Sequence, residues 1–493
     1  MRNVLSPQIR IGQVDIADIK IDFASRDDIP TILLGLQHIY TVPSLRKQVF
    51  DILEEVIPSK LDANGELKKV SANKGRRGME QWAILVLGCL RVGLNTDHDR
   101  IQELANQHRT IREMLGFGYF DNDVIYGLQT IKDNLKLFTP MIMERINVAV
   151  INAGYRLLNK DFNAAIFGRC DSFVLETHVH FPTDISLLYD AVRTLFSQCA
   201  KWNNNYPIPE WRQHRYNLAQ FKKLYRKIQK LRHSTSKDET KKQARAEEIA
   251  QAYLNYLVMA ESYLERVQRS RVILKTEYKF TDNHFAKLDE FIAHTQRQIE
   301  QIHRRALEDE KIPHNEKVFS LFQPHTEWIK KGKAGVPVEL GVRVCIMEDS
   351  DGFVLNHRVM SQETDDKIAV LMVEVAQKNF PKFNGCSFDK GFHSPANQER
   401  LAELLDHVVL PKKGKLSKVE KEREYAPEFM AKKRKHSAVE SAINALEVHG
   451  LDTCPDNGIE GFERYVAMAV LSRNIQKIGA IKRDIARKLK RAA

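Results

Sequence analysis

The chain has little cysteine and no cysteine pair. Its six cysteines, Cys89, Cys170, Cys199, Cys345, Cys386 and Cys454, are scattered over 493 residues without a CxxC. That distribution argues against a structural zinc site and a disulfide framework, and fits buried thiols in a reducing cytoplasm. Long hydrophobic runs are missing too. The longest, around Trp82–Leu90, is far short of the roughly 20 residues that span a bilayer, so no membrane partner is expected. The opening residues, MRNVLSPQIRIGQVDIADIKIDF, lack the apolar core of a secretory signal, and secretion is not expected.

What the chain does have is length, core-forming residues and positive charge. At 493 residues it exceeds one ordinary domain, and 43% hydrophobic residues supply sizeable cores. The balance of 76 basic against 64 acidic residues, 76 − 64 = +12, favours a polyanionic partner such as nucleic acid.

Residues 1–160 read as helical. Met79, Trp82, Ala83, Val86 and Leu90 recur at helical spacing. Thr96 is a candidate N-cap for the next helix, and Gly116 can close a third. This unit near 79–116 is either a helix-turn-helix that recognises DNA or an ordinary helical hairpin; Arg76, Arg77, Arg100, Arg109 and Arg112 surround it. From 161 the character changes. AAIFGRCDSFVLETHVHF is rich in β-prone residues, and SLLYDAVRTLF returns to helical periodicity. Between 197 and 314, stripes through Leu218–Leu231, Ile249–Val267 and Phe285–Ile302 predict three amphipathic helices forming an arm. Lys222, Lys223 and Arg226 belong to a one-signed row on the first of them, either a solvated face or a DNA-backbone contact.

From 315 to 475 the pattern is α/β: a hairpin joined at AspSerAspGly, then helix, strand, helix, strand and a final helix. With the arm removed, the order is β-β-β-α-β-α-β-α, that of a ribonuclease H-like core. The predicted fold is therefore multidomain. A helical N-terminal region (1–160) precedes a mixed-sheet core (161–196 plus 315–475), which the arm (197–314) interrupts. A basic C-terminal helix (476–493) follows.

Three carboxylates stand at suggestive places in that core. Asp171 lies in the first β-prone run, Asp389 at the end of a second (FNGCSFDKGF), and Glu440 on the helical pattern HSAVESAINAL. Brought together, they can hold two divalent cations. Such a pair activates an attacking hydroxyl and stabilises a leaving oxygen at one phosphorus. Oxygen ligands suit Mg²⁺ or Mn²⁺.

The flanking residues make the pattern more specific. FGRCDSFVLETHVHFPTDISLLYDAVR, SLFQPHTEWIKKGKAGVPVELG, FDKGFHSPANQERL and KRKHSAVESAINALEVHG together resemble the DDE transposases of bacterial insertion sequences, especially the ISNCY-like group. The likeness also takes in GRRGMEQWAILVLGCLRVGL. It implies a retroviral-integrase-like core in which Asp171, Asp389 and Glu440 are the catalytic metal ligands for two Mg²⁺ or Mn²⁺ ions. It further implies 3′-end cleavage and strand transfer on element ends and target DNA. A homodimer or larger synaptic assembly, in the cytoplasm at a bacterial nucleoid, would carry out the reaction. The chain departs from many relatives in having His436 where they place an Arg four residues before the Glu.

Lys330, Lys333, Lys390, Lys433 and Arg434 read as phosphate contacts or solvated basic residues, and His325, Thr326 and Glu327 as further cleft residues, with Glu327 a reserve acid. His178, His180 and His393 lie near the acids, but without cysteine partners they read as packing or hydrogen-bonding groups rather than zinc ligands. Two other functions stay open: a transposase-derived DNA-binding protein that no longer cuts, and a ribonuclease H-like nuclease without strand transfer.

Overall fold

β-branched and aromatic residues alternating in burial build a 12-residue strand, β1 (Ile166–Thr177), at the centre of a seven-stranded mixed sheet. The other strands are β2 (Glu327–Lys330), β3 (Val338–Asp349), β4 (Val354–Met360), β5 (Phe383–Phe388), β6 (His407–Val409) and β7 (Thr453–Cys454). Neighbours run β2-β3-β1-β5-β6, with β4 also on β3 and β7 also on β1. Here, in a computed structural model, the described residues are 3–6, 8, 11–57, 59–61, 67–69, 78–161, 163–233, 238–330 and 337–492. Arg76, Arg77 and Lys333 lie outside them, as do residues 234–237 of the turn between the first two arm helices.

The register decides what sits where. β1 is antiparallel to β3, with Asp171 opposite Ile346, and parallel to β5, with Cys170 opposite Phe388. On that second side β5 pairs only with Ile166–Cys170, and β7 only with Glu176–Thr177. Among the described residues, no strand flanks 171–175 there, so the sheet is notched beside Asp171. The β3–β4 hairpin turns as its sequence predicts. The Asp349 carboxylate accepts the N–H groups of Asp351 and Phe353, each at 2.9 Å, and Gly352 takes the positive φ of 82° that the turn requires.

The strands follow one another with helices Asp365–Asn379 after β4, Pro395–Leu404 after β5, and Pro427–His436 and Ala438–Leu446 after β6. His436 therefore ends one helix and Glu440 begins the next, whereas the sequence pattern runs them together; Ser437 is the junction. The N-terminal helices do not have a core of their own. They share one continuous hydrophobic core with the sheet, and Met1–His178 and Ile329–Ala493 form one compact unit. A buried polar knot joins them: Asn474 Nδ2 donates to Asn147 Oδ1 at 2.7 Å and to the Val354 carbonyl at 2.8 Å, while Asn474 Oδ1 accepts the Val354 N–H.

Several local expectations change. Asp97, not Thr96, caps the His98–Gln107 helix, accepting the Arg100 N–H at 2.7 Å. Arg112 is not a surface cation: it donates to the carbonyls of Asn106, Asp121 and Val124 and holds that loop. The N-terminal region also carries a short antiparallel pair, Ser59–Leu61 with Leu67–Lys69, so it is not wholly helical. The basic tail is no separate element. It continues a single helix, Ile459–Ala492, whose first half is buried. That helix crosses Asp28–Thr41 at backbone contact distance: a Cβ on Gly479 would lie 1.9 Å from the Thr31 carbonyl oxygen.

The second unit, Val179–Trp328, is helical and has a separate core. Its helices are Asp184–Asn203, His214–His233, Glu239–Thr276 and Asp282–Leu307. The three amphipathic stripes are therefore joined by a fourth helix, which the sequence reading assigned to the sheet domain. Buried aromatics organise the bundle. The Phe221 and Tyr256 rings stack at 4.4 Å, and the Trp211 indole donates to Ser270 Oγ at 2.7 Å.

Candidate active site

The acids are positioned by strand ends and helix starts. Because Cys170 pairs with Phe388, the last residue of β5, Asp389 enters beside Asp171. β5 stops there as Asp389 turns to cap Lys390–Phe392, its carboxylate accepting the Gly391 N–H at 3.4 Å. Glu440 comes from the first turn of Ala438–Leu446, a helix that packs on β1 through its buried Val439, Ala442 and Leu446 face. Asp389 and Glu440 are exposed, and Asp171 is partly buried.

A fourth carboxylate belongs to this group. Asp365, in the first turn of Asp365–Asn379, accepts the Ser172 hydroxyl at 2.7 Å. Its other oxygen lies against the turn after β5, 2.8 Å from where a Cβ on Gly391 would stand. Asp365 is therefore bracketed by the strand of Asp171 and the turn of Asp389. Sequence reasoning passed over it because ThrAspAsp before an apolar run reads as ordinary helix-start acids. Glu327, the reserve acid, is the first residue of β2, which neighbours β3 and not β1.

The electrostatics mark these acids as one cluster. Burial pushes the Asp171 carboxyl up to about 6, and the charges of Asp389, Asp365 and Glu440 push the same way; only the Ser172 backbone N–H, 2.8 Å from Oδ1, opposes them. Among the described residues none of the four has an ion pair with a basic side chain. Four uncompensated carboxylates make an oxygen-only donor set that suits a hard divalent cation. As they stand, among the described residues, no three His, Cys, Asp or Glu side chains converge closely enough to hold one.

His436 sits at the edge of the cluster, within the fields of Asp389 and Glu440. Its Nδ1 is 3.0 Å from Ser387 Oγ, and its Nε2 is buried with no partner. Burial lowers its pKa, so at neutral pH it is an uncharged hydrogen-bonding group rather than a cation.

The proposed basic contacts divide by place. Lys390 and Arg434 are exposed near Asp389 and His436 in sequence, Lys433 is partly exposed, and none has an ion pair among the described residues. Lys330 is exposed at the end of β2. Lys222, Lys223 and Arg226 form an exposed row in the second unit, with Lys222 Nζ 5.8 Å from the Tyr189 ring centre. His180 belongs to the second unit and pairs with Asp190 at 2.6 Å.

Compared with family models, curated proteins and solved structures, the chain matches none.

Proposed function

We propose that this chain is a DDE transposase that cuts at the 3′ ends of a mobile DNA element and joins them to target DNA. The observation that carries this reading is the cluster of Asp171, Asp365, Asp389 and Glu440 without basic counter-charges, gathered around a notch in a mixed sheet. A structural role for four acids normally brings a cation from the protein itself, because packing like charges together disfavours their ionised forms. The strand order supports the same reading. With the edge strand β2 and the short β7 left aside, three antiparallel strands come first, then helix, parallel strand, helix, parallel strand and helix, the order expected of a ribonuclease H-like core.

In this reading Asp171, Asp389 and Glu440, with Asp365, hold divalent ions, and Lys390, Arg434 and His436 contact the phosphate being cut. Bound ions of this kind supply activation of the attacking hydroxyl and charge stabilisation at the leaving oxygen. Ser172 keeps Asp365 turned toward β1, and the Ser172 N–H fixes the rotamer of Asp171. The exposed basic row at Lys222–Arg226 supports a DNA-backbone role for the helical arm.

Incubation with DNA carrying the element's ends and Mg²⁺ tests the proposal. Wild type should release 3′ ends and form joined products, and Asp171→Ala should do neither. Equal activity of the two removes the proposal; cut ends without joined products would leave a nuclease.

A further inference from the structure

The first unit holds a polar cavity of about 450 Å³, lined by residues that the carboxylate cluster does not use. It opens between the Gln81–Gly93 helix, the Leu128–Leu135 helix, the loop at Pro455–Asn457 and the early turns of Ile459–Ala492. Its walls are cationic. Arg91, Lys132, Lys136 and Arg464 line it against a single carboxylate, Asp456, so 4 − 1 leaves a net charge of +3.

The depth of Arg91 makes this more than a solvated basic patch. Arg91 is only 5% exposed. Asp456 takes its two terminal nitrogens at 2.6 and 3.4 Å, and the Tyr465 ring lies 5.3 Å below its central carbon. Its Nε remains buried without a partner. Lys132, Lys136 and Arg464 have no ion pair among the described residues. His98 is pushed down to about 4, first by burial and then by Arg91, so it lines the cavity as a neutral donor or acceptor. Holding four cations around one hollow with one anion is repulsive unless an anion enters.

The residual charge favours a dianion over a single carboxylate, and the Arg464 guanidinium, with no ion pair among the described residues, suits the forked geometry of phosphate. Val92, Leu135 and Met468 supply an apolar wall beside these groups, which suits a sugar or base attached to that phosphate.

We propose that this cavity is a nucleotide-phosphate site, taking the phosphate of a free nucleotide or of a nucleic-acid strand. It does not depend on the carboxylate cluster being catalytic.

Calorimetric titration of the full chain tests it with three probes: adenosine 5′-monophosphate, a 5′-phosphorylated single-stranded oligonucleotide, and citrate as a non-phosphate anion. A Lys132→Glu, Arg464→Glu double variant should weaken phosphate-probe binding by at least about tenfold, since it reverses two charges at the mouth. Loss of mononucleotide binding in the variant assigns a free nucleotide, and loss of strand binding alone assigns a strand. Both support the site. Binding unchanged in the variant, no binding of either phosphate probe, or citrate binding as tightly as the nucleotide overturns it. If the double variant melts below wild type, Lys136→Glu, at an exposed position, replaces it. The titrations are run without Mg²⁺, so cleavage plays no part in them and the result stays separate from the cleavage test.

Discussion

The Ser172 hydroxyl donates to Asp365 Oδ1 at 2.7 Å, tying the strand that carries Asp171 to the first turn of the helix after the β3–β4 hairpin. This bond places a fourth carboxylate beside three that the sequence already brings to attention. It makes Asp365 a residue whose removal should be felt in chemistry before stability. If the cluster holds ions as proposed, Asp365→Asn should leave the melting temperature near that of wild type and slow Mg²⁺-dependent DNA cleavage on the order of a hundredfold. Cleavage at the wild-type rate would remove Asp365 from the site.

Asp171 makes a prediction about pH. Its folded-state value of about 6 lies above the ordinary 3.8. Between those values the folded chain keeps a proton that the unfolded chain gives up. The stability carried by the protonated form is full below about pH 4 and gone above about pH 6. Asp171→Asn keeps a neutral group at every pH. It should therefore be more stable than wild type near pH 7.5, by about 2 kcal/mol once partial solvent screening is allowed for, with the gap closing near pH 4. Melting curves across this range check the sign.

The same physics applies to cation binding. Mg²⁺ should raise the Tm of wild type at about pH 7.5 and lose much of that effect at about pH 5, where Asp171 is protonated. Asp171→Asn should show a smaller Mg²⁺ shift than wild type at about pH 7.5 and a similar one at about pH 5, where both carry a neutral group. An Mg²⁺ shift as large in the variant as in wild type at the higher pH would mean that the ion binds elsewhere.

In the helical unit, Lys222, Lys223 and Arg226 are exposed and have no carboxylate partners among the described residues. If they meet DNA phosphates, changing all three to Gln should flatten the log–log salt dependence of DNA binding by about 2 to 3, close to one unit per lost contact. An unchanged slope would mark the row as a solvated face.

Gly479 tests the packing of the long C-terminal helix. A Cβ there would stand 1.9 Å from the Thr31 carbonyl oxygen, which is backbone and unable to swing aside. Gly479→Ala should lower stability by more than about 2 kcal/mol, read by denaturant unfolding, although alanine is the better helix former.

Much of this architecture is legible along the chain because it follows from local pattern. The AspSerAspGly turn, the Asp365–Asn379 helix and the NGCSF strand ending at Asp389 all appear where apolar periodicity and turn chemistry put them. The arm's stripes are equally plain, since a helix that buries one face repeats its apolar residues every three or four positions. Less legible were features in which two distant segments share one environment. The helix of Asp184–Asn203 has an ordinary amphipathic pattern, and nothing in that pattern says which core it enters. Arg112 looks like one more surface arginine until three carbonyls converge on it.

By itself, then, the sequence determined most of the element types, the basic balance and three of the acids, because each depends on residues close together in the chain or on composition alone. Tertiary structure decided which groups share a field. Asp365 joins Asp171 and Asp389 only because β1 pairs with β5 at Cys170–Phe388 and Ser172 reaches the next helix, contacts between residues far apart in sequence. Arg91 and Asp456, 365 positions apart, face one cavity for the same reason. Strand register and helix packing are set by burial of the whole core, which no local window of sequence contains.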